Sequence, residues 1–207
     1  MGSEAESFRV AVFIDWQNTY KTAREAFGWR DYPNEYGNYS PYQLARVLTA
    51  ENGRGTNAQL VRVSIHRGLP SQRYDQHGYA ANRRQAAAWI KENPEIVIPR
   101  LRPLRYDREG EPREKGVDVE LALGAVEWTL TKQCEVVIIF SHDTDLVPLV
   151  EMLTRMEGPA CIETVSWTAQ YFNQRIRTRP PVYHHNISRT VFDRVETRVN
   201  YAHAVEG

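Results

Sequence analysis

The 207-residue sequence predicts an α/β fold, a three-layer α/β/α sandwich around a mainly parallel sheet, and three observations carry that expectation. Short, near-continuous runs of β-branched and aliphatic residues recur along the chain, as strands covered on both faces require. Stretches with helical spacing separate them, so strand and helix alternate as in βαβ units. The length suits one domain with a substantial core.

Taken in order, residues 8–14 (Phe8-Arg9-Val10-Ala11-Val12-Phe13-Ile14) form the first strand candidate and end directly in Asp15. Residues 19–27 and 41–50 read as short helices, joined by a loop over 28–40 with Pro33, Gly37 and three tyrosines. The second strand, 59–65, carries Leu60, Val61, Val63 and Ile65. A loop over 68–79 precedes a helix at 82–92, with Asn82 as its cap, an interior of Ala86, Ala87 and Ala88, and Asn93-Pro94 as its stop. Residues 96–98 are a third strand, and the charged stretch 106–116 is a loop. The helix expected over 117–132 places Leu121, Ala125 and Trp128 on one face. Residues 136–140 (Val-Val-Ile-Ile-Phe) and 160–165 complete the strands. A helix over 146–156 lies between them, with Pro148 tolerable only in a first turn. One domain spans 1–207, with 1–7 expected to be flexible. Residues 180–207 form a C-terminal extension packed on the domain, including a helix over 188–201. No internal repeat is visible.

Composition narrows the function classes. Lys+Arg and Asp+Glu, 26 each, cancel to zero net charge, which excludes a uniformly basic coat. The distribution is uneven: residues 1–53 carry −2, 54–115 carry +6, 116–163 carry −7 and 164–207 carry +3. A hydrophobic fraction of 42% excludes a wholly disordered chain. No apolar run approaches the roughly 20 residues a membrane span needs, and the acidic N-terminus does not resemble a signal peptide; a cytoplasmic location is expected. Cys134 and Cys161 are too few for a cysteine zinc site and read as buried free thiols. The phosphate-binding, dinucleotide and nucleophile-elbow glycine motifs are missing, which argues against a nucleotide-hydrolysing motor, a dinucleotide enzyme and a serine hydrolase; no organic cofactor is expected.

In open parallel sheets, sites form beyond the carboxyl ends of strands. Asp15 follows the first strand, Asp143 and Asp145 follow residues 136–140, and Asp118 opens a helix. If the strands run parallel, these segments bring carboxylates to one edge, where they stay ionised together only beside bound positive charge. Mg²⁺ or Mn²⁺, which prefer oxygen ligands, fit that need. Taken singly, each residue is equally readable as a cap or turn former.

Val12-Phe13-Ile14-Asp15-Trp16-Gln17-Asn18 resembles the FIDxxN signature of the NYN domain, the LabA-like (DUF88) branch of the PIN-like nucleases. Lys115-Gly116-Val117-Asp118-Val119-Glu120-Leu121-Ala122 resembles its KGVDVxLA motif. Residues 141–150 (Ser-His-Asp-Thr-Asp-Leu-Val-Pro-Leu-Val) resemble its SxDxDFxPLV motif. The resemblance implies a PIN-like sandwich with a sheet of about five strands and a divalent-metal-dependent RNase. Asp15, Asp118 and Asp143 would stand at the metal centre, Asn18 and Asp145 would orient ligands or the attacking water, and Ser141 would shape the loop. One departure stands out: the acid that usually ends KGVDVxLAxD falls here on Gly124, leaving Glu120 or Glu127 to substitute or the centre with fewer carboxylates.

The basic stretch supplies candidates for substrate binding: Arg102, Arg105, Arg113 and Lys115, leading straight into Asp118, with Tyr74, Tyr79 and Tyr106 as stacking aromatics. The same arginines could instead pair with Asp107, Glu109, Glu111 and Glu114. Trp16 reads as packing, His66 and His142 as surface-loop histidines, and His184-His185 as unable to share an ion, since adjacent residues point apart. RNA is therefore the expected partner. A regulatory RNA-binding module with weakened catalysis and a small-molecule phosphohydrolase remain open, as does a homo-oligomer.

Overall fold

A computed structural model describes residues 7–52, 54–156 and 160–203. Strand β1 (Phe8–Asp15) lies inside the sheet, hydrogen-bonded on one side to β2 (Ala58–Leu69) and on the other to β6 (Val136–Phe140). β3 (Val97–Pro103) continues beyond β2, while β7 (Cys161–Trp167) and β8 (Tyr183–Ile187) continue beyond β6. The order is β3-β2-β1-β6-β7-β8, and every neighbouring pair is parallel. The chain thus winds outward from β1 in one direction and later in the other. The β1/β6 boundary is the point where the winding reverses and a crevice opens at the strands' carboxyl ends.

The alternation of β1 explains both layers. Val10, Val12 and Ile14 pack against α1 (Trp16–Ala26), α2 (Pro41–Ala50), α3 (Gln76–Glu92) and α6 (Arg189–Val195). Ala11 and Phe13 face α4 (Val117–Leu130) and α5 (Val147–Arg155). With both faces covered, β1 and β6 are almost wholly apolar from end to end, as parallel strands tend to be.

The sheet has six strands rather than about five, and the added one is β8. An edge strand with His185 and Ile187 buried but Tyr183 and Asn186 exposed lacks the apolar run that marks an inner strand. α3 begins six residues before Asn82. Its cap is Asp75, whose Oδ1 accepts from the Gly78 amide at 2.8 Å, while the Asn82 side chain donates to the Gly78 carbonyl within the helix. A Cβ at Gly78 would stand 2.0 Å from Asp75 Oδ2, so the glycine that reads as loop punctuation is what lets this cap close. Residues 106–116 are not wholly loop: β4 (Arg105–Tyr106) and β5 (Pro112–Arg113) form a two-stranded antiparallel hairpin. The C-terminal helix is short, seven residues following Ser188. Cys161 is exposed rather than buried. Residues 1–6 of the N-terminal segment lie outside the described residues. Among the described residues no helix is long and apolar enough to cross a membrane.

Candidate functional site

The end of β1 and the exit of β6 meet through a set of short-range hydrogen bonds. Asp15 caps α1, its Oδ1 accepting from the Asn18 amide at 3.2 Å. Its Oδ2 accepts from Ser141 Oγ at 3.0 Å, and Ser141 Oγ in turn accepts from the Asp143 amide at 3.1 Å. Asn18 Oδ1 accepts from the His142 amide at 2.8 Å. Asp143 Oδ1 accepts from the Asp145 amide at 2.9 Å and so caps the single turn leading into α5. Asp15, Asn18, Ser141 and Asp143 are thus one network spanning two parallel strands. Asp145 joins through its backbone, its side chain exposed.

Asp118 enters from the first turn of α4. Gly116, just before that helix, has φ +80°, and a Cβ there would lie 3.1 Å from Arg102 Nε. Only glycine suits both the left-handed backbone and the close guanidinium. Burial raises the Asp118 carboxyl above its ordinary range, and Asp143, Glu114 and Asp145 raise it further. Asp15 is buried more deeply, at 4% exposure. Burial pushes its carboxyl from 3.8 to about 7; the Asn18 amide and Ser141 hydroxyl oppose this, while Asp118 and Glu114 add to it. Among the described residues none of Asp15, Asp118, Asp143 and Asp145 forms an ion pair with a basic side chain. Nor, among them, do three His, Cys, Asp or Glu side chains stand in position to hold one ion jointly. The donors are hard oxygens that, among the described residues, no basic side chain pairs. That fits an ion that keeps most of its water and takes only one or two carboxylates, as Mg²⁺ does.

The departure at Gly124 has a local explanation. A Cβ at that position would come within 3.3 Å of Phe13 Cε1, so α4 lies close on the sheet there. Neither of the two expected substitutes joins the aspartates: Glu120 faces Arg102 at 4.0 Å, and the exposed Glu127 acts on Arg62. The extra acid is Glu114, whose Oε1 accepts from the Gly68 amide at 2.9 Å and whose charge bears on both Asp15 and Asp118. Read along the sequence, Glu114 is one of four acids among arginines, and nothing but its position before Lys115-Gly116 marks it.

His142 and His66 are not surface-loop residues. His142 is 6% exposed, with Nδ1 3.0 Å from Thr22 Oγ1 and Nε2 accepting from the Trp167 amide at 3.0 Å. That assigns the Nδ1–H tautomer and makes the ring a pin between β6, α1 and β7. Burial, with His184 nearby, lowers its pKa to about 3. His66 stacks on Phe13 and is likewise lowered to about 3 by burial, with Arg100 and Arg62 adding to it. His184 and His185 serve different partners: His184 lies against Thr164 and Ser166, His185 between Glu51 and Glu163. Trp16 is buried against Tyr39 and Trp89.

The basic candidates are placed less directly. Arg102 Nε donates to the Lys115 carbonyl at 2.7 Å, fixing the approach to α4. Arg113 pairs with Asp107 at 3.1 Å, and Arg105 stands opposite it on the hairpin. Lys115 is exposed. Tyr106 stacks on Tyr74 at 4.3 Å, and Arg73 lies over Tyr74.

A comparison with curated proteins finds no match. A crystal structure of a protein of unknown function from Vibrio parahaemolyticus RIMD 2210633 superposes with a TM-score of 0.54 at 22% identity, covering 80% of this chain and 85% of that one. At that identity the likeness shows a shared fold alone. The profile of the NYN domain matches residues 9–166, from the second residue of β1 to Ser166 near the end of β7. That stretch holds every aspartate of the network, and the chain belongs to the NYN domain family, within the PIN-like nuclease superfamily.

Proposed function

We propose that this protein is a divalent-metal-dependent ribonuclease of the LabA-like branch, cutting single-stranded RNA or RNA loops endonucleolytically. The observation that carries the reading is the Asp15 carboxyl, buried, raised to about 7 and neighboured by Asp118 and Glu114, with no basic side chain among the described residues paired to it. Such a site favours a cation, and the elements that build it belong to a nuclease family. One or two of Asp15, Asp118 and Asp143 would bind Mg²⁺ or Mn²⁺ directly, and the rest would act through its waters. Bound there, the ion supplies charge stabilisation for the phosphoryl oxygens and a water of lowered pKa.

The chain's own residues have separate tasks. Ser141 donates to Asp15 and leaves its other oxygen directed by Asn18, so the carboxylate has one orientation. Asn18 also holds the His142 amide and with it the register of the Asp143 loop. Asp145, exposed beside that loop, would orient an incoming water. Arg102, Arg105, Arg113 and Lys115 would meet the phosphates of the flanking strand.

The test measures cleavage of a labelled RNA with Mg²⁺ or Mn²⁺, with EDTA and with Asp143→Asn. Loss of cleavage in both controls is expected; cleavage that survives them overturns the metal mechanism. Gly124 favours a second reading, an RNA-binding module without turnover. Tight RNA binding with no cleavage at any metal concentration would select it.

A further inference from the structure

The segment between β7 and β8, residues 168–182, contains Arg175, Arg177 and Arg179 and no acidic residue. It is pinned at three points. Ala169 and Phe172 exchange backbone hydrogen bonds at 3.0 and 3.1 Å, and the buried Phe172 ring lies edge-on to His142 with 5.7 Å between centroids. Ile176 is 4% exposed and joins the core layer under α4 and α5. The Arg179 amide donates to Glu151 Oε1 at 3.0 Å. Burial of Ile176 leaves the residues on either side of it turned outward, Arg175 partly buried and Arg177 exposed.

Both arginines line a groove of about 610 Å³ that also takes in Asn18, Asp143 and Thr144 of the acidic centre. They border a second hollow of about 230 Å³ together with Thr164 and His184, so the groove runs on from the carboxylates toward β7 and β8. Among the described residues neither arginine forms an ion pair, although Asp143 lines the same groove. Arg9, Arg54, Arg113 and Arg189, by contrast, each meet a carboxylate within 3.1 Å. Two cations held on an anchored loop, sharing a groove with a carboxylate and pairing with no acid, leave room for an anion between them.

Their place in the fold complements the basic hairpin. Arg105 and Arg113 follow β3, on the β2 side of β1, whereas Arg175 and Arg177 follow β7, on the β6 side. The carboxylates at the β1/β6 boundary therefore stand between two basic flanks. We propose that Arg175 and Arg177 bind the phosphates of an RNA strand on the β7 side of the scissile bond, so that the strand lies across the acidic centre from one flank to the other. The identity of the strand rests on the ribonuclease reading; the anion site rests on the groove. Guanidinium groups suit phosphate oxygens because they offer paired donors and keep their charge at any working pH. Contacts to the backbone carry no base preference, so this flank reads charge and spacing. A strand held on both sides of the reacting phosphate is cut within its length rather than from an end.

Fluorescence anisotropy of a labelled single-stranded RNA on the full chain, in EDTA, reads binding apart from turnover. Each of Arg175→Gln and Arg177→Gln should weaken binding about 4-fold at physiological salt and lower the slope of log K against log salt by about 0.7. Lys91→Gln, an exposed charge at the far end of α3, should change neither. Shortening the RNA stepwise should cost the wild type affinity from both ends, and the double variant from one end only. With Mg²⁺ or Mn²⁺ present, the variants should raise KM and leave kcat unchanged, with folding checked by thermal melting. Variants that bind as the wild type does, with an unchanged salt slope, overturn the proposal; cleavage that persists in them leaves the ribonuclease reading standing. An equal loss in Lys91→Gln overturns it too, since the effect would then be one of net charge. So does a wild type that binds inorganic phosphate but no RNA. Arginine-dependent RNA binding without turnover under either metal keeps the groove and removes the ribonuclease reading.

Discussion

Replacing Asp15 by Asn should make the metal-free protein more stable at pH 8, although it removes the central carboxylate. Asn keeps the shape and an oxygen for the Asn18 amide, and Ser141 Oγ can accept from the new amide as readily as it now donates. What disappears is a buried negative charge beside two others. Because the folded-state carboxyl is raised, its contribution to stability is fully present below the unfolded value near 3.8. It is lost as pH rises through about 7. At about 1.36 kcal/mol for each pH unit, the charged Asp15 costs about 4 kcal/mol above neutrality. For a domain of this size, each kcal/mol moves Tm by roughly 2–4 °C. Urea denaturation in EDTA at pH 8 and pH 4 is the assay: the variant should gain about 2–4 kcal/mol at pH 8 and almost nothing at pH 4. Added Mn²⁺ should then stabilise the wild type and not the variant. A variant equal to or weaker than the wild type at pH 8 would refute the reasoning.

Other expectations follow from separate parts of the fold. Asp143→Asn should lower RNA cleavage by at least about 100-fold while its amide oxygen still caps the turn at Asp145, so the urea midpoint barely moves; unaltered cleavage would remove Asp143 from the site. Arg54→Ala should cost about 3–5 kcal/mol, because it strips an ion pair from the fully buried Glu163. Burial would raise Glu163, yet His185, Arg54 and Asn52 hold it below its ordinary value, so its stabilisation is lost as pH falls through that lowered pKa. A change under about 1 kcal/mol in urea denaturation would contradict this. Finally, His66 and His142, lowered to about 3, and His184, lowered to about 4, are folded in neutral form by burial. Their stability is present above 6.5 and lost as pH falls below it, so the wild-type urea midpoint should drop between pH 6.5 and 4 despite Asp15's opposite trend. A flat or rising profile would count against it.

The innermost strands were legible because burial on two faces leaves no polar alternation to confuse them: β1 and β6 read as apolar runs. β8 was hidden because an edge strand needs only half its side chains inside. The start of α3 was hidden because Asp75 and Gly78 make a cap out of residues that elsewhere make turns. In the site, Asp15 and Asp143 could be placed from strand ends, since parallel order carries both ends to one edge, while Asn18 and Ser141 were marked only by the motifs that resemble the NYN domain. Glu114 could not, because its role comes from a contact with Gly68, 46 residues away in sequence. His142 was misread for a related reason: a histidine after a strand looks exposed until α1 and the end of β7 close over it.

The pairing of β1 with β6 also governs when the site exists. Val10 lies opposite Val136 and Ile14 opposite Phe140, a separation of 126 residues. Such long-range parallel pairings form slowly, since loop closure must precede their reward. During synthesis β1, β2 and β3 can meet while Ser141 and Asp143 are still to be made. Asp15 then has no hydroxyl donor from β6 and no acidic neighbour from the loop after it. A half-made chain therefore carries no assembled acidic centre, and the complete site arrives only with the last stages of folding.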